Sequence, residues 1–171
     1  LWRADMLGEA RGAWIEATVA SMCRSNAAAS AVARAAGARA ATDVSGFGLA
    51  GHLGALLRAS GVRARIDAAA LPLLPGAPEC LARGLRSTFH AENAAGAAAF
   101  EIAPEAAAHP GTHACFDPQT SGGLLFGVAA ARVDEALARL REGGDGDAAE
   151  IGEVMERLDG AATLGGIVAS R

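Results

Sequence analysis

The sequence predicts one α/β or α+β domain built on a mixed sheet, with helices on both faces of that sheet. Three observations predict it. Short apolar runs of strand length alternate with segments at the helical period. Hydrophobic residues make up 51% of the chain but are mostly alanine, and aromatics reach only 4%, so the core should be thin-walled and helix-rich. A chain of 171 residues suits a single core, since folding at this size removes roughly 68–70% of the unfolded surface from water.

From Ala13 to Ser25, Trp14, Ile15, Val19 and Met22 recur at three- and four-residue steps, which predicts a helix. A second helix should begin at Asn26, a good N-cap, and stop at Gly37, which suits a left-handed C-cap. Ala38–Val44 reads as a strand, turning at Ser45-Gly46 into a helix that carries Leu49, Leu53, Leu56 and Leu57 and ends at Ser60-Gly61. Val62–Asp67 alternates as a half-exposed strand does, and Leu71–Gly76 is a rigid connector. Signals weaken between Glu79 and Phe116: a short helix about Glu79–Arg83, another about Glu92–Phe100, and a loop with Pro104, Pro110 and Gly111. Gly123–Ala129 is a strand, Ala131–Arg141 an amphipathic helix, Gly143–Asp147 a surface loop, and Ala149–Val154 and Thr163–Ala169 are two closing strands.

Net charge is −4, and all fifteen basic residues are arginines scattered singly, so no stripe offers itself to a nucleic-acid backbone. There is no lysine, so an ammonium for a nucleotide phosphate cannot come from this chain. No apolar run approaches the roughly 20 residues of a membrane-spanning helix. Cys23, Cys80 and Cys115 stand far apart, and a reduced, cytoplasmic setting is expected. The chain begins Leu1-Trp2-Arg3, which is expected of a stretch from within a longer protein.

Two motifs carry chemical information. The first, Thr42-Asp43-Val44-Ser45-Gly46-Phe47-Gly48-Leu49-Ala50-Gly51-His52, puts a carboxylate at the C-terminal end of a strand beside a glycine-containing turn and a helix start. Asp43 can serve there as part of a magnesium site, or simply cap the helix, a duty for which Ser45 is better placed. Gly48, Gly51 and Gly54 strip one helical face, which favours close packing over ligand contact. His52 lies on the leucine stripe as a buried or interface histidine rather than a base. The second motif, Phe116-Asp117-Pro118-Gln119-Thr120-Ser121-Gly122-Gly123-Leu124-Leu125, makes a tight polar turn whose amides either face an anion or only lead into a strand.

Together these motifs resemble the selenophosphate synthetases (selenide, water dikinases). Ala4-Asp5-Met6, Gly12-Ala13-Trp14, Leu71-Pro72, Pro75-Gly76 and Ile151-Gly152-Glu153-Val154 extend the likeness over nearly the whole chain. The resemblance implies a single domain over 1–171, the C-terminal half of a protein of the aminoimidazole ribonucleotide synthetase-related superfamily. Its expected fold is α+β, a three-layer α/β/α arrangement partly like a ferredoxin fold. It implies conversion of ATP, selenide and water into selenophosphate, AMP and phosphate, with Asp43 as the one magnesium ligand from this part and Thr120, Ser121 and Gly122 as phosphate contacts. The nucleophile, the lysine, the other metal-binding aspartates and the nucleotide loop belong to the family's N-terminal domain, so the isolated chain is expected to be inactive. Full-length members are homodimers, and the Ser87-Thr88-Phe89-His90 region looks like a branch fused to a flavin-dependent oxidoreductase. Other readings are a different ATP-dependent synthetase of the superfamily, a non-catalytic assembly domain, and a zinc site of His109, His113 and Cys115. Against the last, Pro110-Gly111 should break any helix between the histidines.

Overall fold

The computed structural model describes residues 1–156, 163 and 165–169. Helix α1 (Trp2–Met6) precedes α2 (Gly12–Met22) and α3 (Ala27–Ala35). Strand β1 (Ala41–Asp43) leads to the longest helix, α4 (Gly48–Ser60), and on to β2 (Val62–Asp67). The middle of the chain holds α5 (Ala77–Ala82), α6 (His90–Gly96), β3 (Phe100–Ile102) and α7 (Pro110–Phe116). Strand β4 (Leu124–Phe126), helix α8 (Val133–Glu142) and strands β5 (Gly152–Glu156) and β6 (Gly165–Val168) follow.

Four strands form a mixed sheet in the order β3-β6-β2-β5, with β6 parallel to both of its neighbours and β5 antiparallel to β2. The other two pair separately: β1 and β4 make an antiparallel ribbon in which Asp43 stands opposite Leu124. The α+β class expected from the sequence is thus met by a mixed sheet plus a separate ribbon. Alternation decides which way β2 faces. Ala64 and Ile66 are buried while Arg65 is exposed and pairs with Glu153 at 2.9 Å.

The core lies between this sheet and α4. Leu53 and Leu57 of the leucine stripe meet Ala64, Ile66, Phe100 and Ile167, and Cys115 and Phe116 of α7 join the same cluster. Among the described residues the fully buried side chains are small or medium, the largest being Ile167, Thr112, Cys80 and Cys115, as an alanine-rich composition requires. Such a core depends on close backbone approach, because little side-chain volume is available to fill gaps.

Several expected elements shift. The strand expected over Ala38–Val44 contracts to β1, and the one over Gly123–Ala129 to β4. The helix expected over Glu92–Phe100 starts at His90 and ends at Gly96, leaving Phe100 to open β3. The strand expected over Thr163–Ala169 contains β6, with residue 164 outside the described residues. The largest correction is α7. Pro110 was expected to break a helix but begins one, because at the first helical position its missing N–H had no intrahelical partner to lose. His109 caps that helix, its Nδ1 accepting from the Gly111 N–H at 3.1 Å. Asn26 holds the N-cap position of α3 but makes no side-chain cap bond there.

Among the described residues no helix is long and apolar enough to cross a membrane. Leu57, only 2% exposed at the centre of the α4–sheet contact, sets the scale of the core. Leu57→Ala should destabilise the chain by about 2–5 kcal/mol, read as a lower urea midpoint with an unchanged denaturant slope.

Candidate functional site

The two motifs singled out in the sequence meet in space. Strand β1 ends at Asp43, and residues 44–47 turn the chain into α4. Helix α7 ends at Phe116, and residues 117–123 turn it into β4. Two backbone hydrogen bonds lace these loops: the Val44 N–H donates to the Gly123 carbonyl at 3.0 Å, and the Gln119 N–H to the Ser45 carbonyl at 3.0 Å.

Two glycines make this approach feasible. Gly48 has φ +68, and a Cβ there would lie 2.8 Å from the Cys115 carbonyl oxygen and 3.1 Å from that of Asp117. A Cβ on Gly122 would run into the Val44 carbonyl oxygen. The close packing expected of the Gly48–Gly51–Gly54 face is realised at Gly48, and the partner is the second motif itself. Ser121, within the second loop, is the single non-glycine residue with positive φ (+55) among the described residues, the kind of local strain that clusters at sites where a loop must present particular groups.

Asp43 is exposed at the end of β1, and its carboxylate enters no ion pair or hydrogen bond among the described residues. Thr120 and Ser121 are exposed on the neighbouring loop, and Gly122 is half-buried. Thus Asp43 and Thr120–Gly122 flank one another at the open end of the ribbon. Asp117 is engaged by another segment. Its Oδ1 accepts from the Ser87 N–H at 3.1 Å, tying the 117–123 loop to the segment before α6. Ser45 does not cap α4, whose N-cap is Phe47. The Ser45 N–H instead donates to His52 Nε2 at 3.1 Å, and the Ser45 hydroxyl approaches the same nitrogen. Because Nε2 accepts, His52 carries its proton on Nδ1, and it braces the turn as a half-buried structural residue.

The contacts of three amide or imidazole side chains were not legible in the sequence. Asn26 Nδ2 donates to the Gly122 carbonyl at 3.0 Å, and so reaches the site instead of its own helix. Asn93 Nδ2 donates both to the Gly46 carbonyl at 2.9 Å and to the Phe116 carbonyl at 3.0 Å. His90 Nε2 donates to the His113 carbonyl at 3.1 Å. The only sequence signal was asparagine inside a short alanine-rich helix, where it is a poor helix former and needs another reason to be present.

The three side chains of the zinc alternative are engaged separately. His109 caps α7, and His113 Nε2 accepts from Arg86 at 3.0 Å. Cys115 is 1% exposed, and burial pushes its thiol up to about 12. Among the described residues no group of three or more His, Cys, Asp or Glu side chains could hold a metal by itself. Any cation at Asp43 therefore needs ligands beyond this carboxylate.

With this geometry in place, comparison with known proteins decides the family. The model of the AIR synthase related protein, C-terminal domain, matches residues 19–165. The chain belongs to that family. It is 41% identical over 142 residues to the selenide, water dikinase of Nitratidesulfovibrio vulgaris, covering 82% of this chain and 40% of that protein. It is 38% identical over 143 residues to the selenide, water dikinase of Escherichia coli K12 (84% and 40%), and 35% identical over 169 residues to that of Agathobacter rectalis (91% and 45%). The chain spans less than half the length of these relatives.

His90 and His113, ring centroids 5.9 Å apart behind the second loop, make the fold sensitive to acid. Burial lowers the pKa of each below the ordinary 6.5, and the Arg86 guanidinium lowers both further; the His113 carbonyl and Asp117 oppose this only at His90. The unfolded chain therefore binds protons that the folded chain refuses. The stability these neutral rings allow is complete above pH 6.5 and falls as pH drops through 6.5 toward the folded values. The thermal midpoint should decline across that window, and His113→Gln should flatten the decline attributable to this pair, as read by calorimetry against pH.

Proposed function

We propose that this chain acts as the C-terminal domain of an ATP-dependent selenophosphate synthetase, which turns ATP, selenide and water into selenophosphate, AMP and phosphate. The observation that carries the reading is the joining of Asp43 and the Thr120–Gly122 loop at one open edge, in a chain similar over most of its length to selenide, water dikinases.

Asp43 suits magnesium as one ligand of a shared site. It is exposed and carboxylate-bearing, and magnesium takes only one or two protein carboxylates while keeping waters and substrate phosphates. When bound, magnesium supplies positive charge against the negative charge that builds up during phosphoryl transfer. Asp43 would hold one coordination position of that ion. The amides and hydroxyls of Thr120, Ser121 and Gly122 offer donors to a phosphate oxygen. His52 keeps the 44–47 turn in place through Ser45, and Asn26 keeps Gly122 in place. The chain holds no lysine, so a cation that contacts the nucleotide from a lysine, the nucleophile and the remaining carboxylates come from an N-terminal domain in this reading, and the isolated chain does not turn over ATP. The same reading implies a cytoplasmic protein working as a homodimer, with selenide and ATP as its small-molecule substrates. The Ser87–His90 segment fits the branch joined to a flavin-dependent oxidoreductase.

Selenophosphate formation, followed by phosphorus NMR with ATP, selenide and magnesium, tests this for the chain alone and for the full-length parent. Product should form only in the full-length protein. Asp43→Ala should lower its rate by about 10²-fold or more, the scale on which losing one preorganised electrostatic contact to the transition state acts. Turnover by the chain alone, or full activity of the variant, would refute the assignment.

A further inference from the structure

Helix α6 lies behind the two loops and sends one side chain between them. Asn93 is half-buried on α6. A primary amide has two N–H donors on one nitrogen, and both are used here: one bonds the Gly46 carbonyl at 2.9 Å and the other the Phe116 carbonyl at 3.0 Å. Only the NH2 end of the side chain can serve two carbonyl oxygens, so this orientation of the amide is dictated by its partners. The two acceptors belong to different motifs. Gly46 follows Asp43 by three residues in the first loop, and Phe116 precedes Thr120 by four at the entrance to the second.

We propose that Asn93 is a positioning residue for the site, a clamp that sets the spacing between Asp43 and the Thr120–Gly122 loop without touching either. The proposal rests on reading these two loops as the functional site. Its physical content is that the direct lacing, Val44 to Gly123 and Gln119 to Ser45, consists of two hydrogen bonds at the loop edge. Asn93 closes the other end of the same junction, next to the point where Gly48 meets the Cys115–Asp117 backbone. No other side chain of residues 77–100 bonds both loops among the described residues. Glutamine would carry the same amide about one methylene too far, and aspartate would keep the shape while facing an oxygen to both carbonyls.

The clamp is tested in two ways. The first is amide hydrogen exchange by NMR on the 171-residue chain, comparing wild type with Asn93→Asp and Asn93→Ala. Exchange at Val44 and Gln119 should accelerate about tenfold or more in both variants, with the β2 amides at their wild-type rates, as local opening requires. Unchanged exchange at Val44 and Gln119 overturns the proposal. So does equal acceleration throughout the sheet, which would make Asn93 a general stability residue. The second uses the full-length enzyme. Asn93→Asp should raise the magnesium concentration needed for half-maximal selenophosphate formation, and adding it to Asp43→Ala should cause a clearly smaller further loss than it causes alone, because part of its effect acts through the Asp43 position. Independent, multiplying losses overturn it. If no variant and not even the wild type makes selenophosphate, the functional reading falls, and the exchange rates alone decide the clamp.

Discussion

Backbone meets backbone where the two loops join, and the rest of the molecule is arranged around that meeting. The α-carbon of Gly48 sits under the carbonyls of Cys115 to Asp117, and that of Gly122 sits on the Val44 carbonyl. With side chains excluded, polar main-chain groups face one another at short range, and each needs a partner, since an unpaired buried amide or carbonyl costs about 1–3 kcal/mol. The partners come from across the junction or from the side chains of Asn26, His52 and Asn93. A cluster of amide and imidazole groups thus takes the role that large apolar side chains play in a less alanine-rich protein.

This arrangement explains why the ribbon stands apart from the four-stranded sheet. The sheet and α4 carry the apolar burial, with Ile66, Ile167, Leu53 and Leu57 at its centre. The β1–β4 ribbon carries less: none of its residues is fully buried, and Leu125 packs against the core from the outside. Its geometry is held by hydrogen bonds and by contact with α3 and α4, which leaves the strand ends free to present Asp43 and the Thr120–Gly122 turn. Strength and presentation are assigned to different parts of the fold.

The elements that announce themselves by period or by strong caps were legible in the sequence. Helix α4 was visible from its leucines and its stop at Gly61, β2 from its alternation, and α8 from its charged and apolar faces. In the middle of the chain the short helices expected about Glu79–Arg83 and Glu92–Phe100 are present as α5 and α6 with shifted ends, whereas α7 stands where the sequence predicts a loop, because a helix of seven residues opening on Pro-Gly shows too little period to mark a face. Proline misled there: Pro110 looked like a breaker and is an initiator, and only the cap supplied by His109 distinguishes the two. The candidate site was legible as two motifs, including Asp43 and the 120–122 turn. Its supports were not, since Asn26, Asn93 and Asp117 act on residues 23 to 96 positions away, and no local pattern records a contact of that range.

Cys115 lies at the same junction, its carbonyl against Gly48 and its side chain in the core. Sulfur reacts as the thiolate, and a thiol held near 12 supplies almost none of it at neutral pH. An oxidant or electrophile at the loop junction therefore meets Cys115 as a buried, protonated thiol and not as a nucleophile. Its sulfur fills space between α4 and α7 that an alanine-rich core would otherwise leave empty, and it does so without adding a reactive group to the junction.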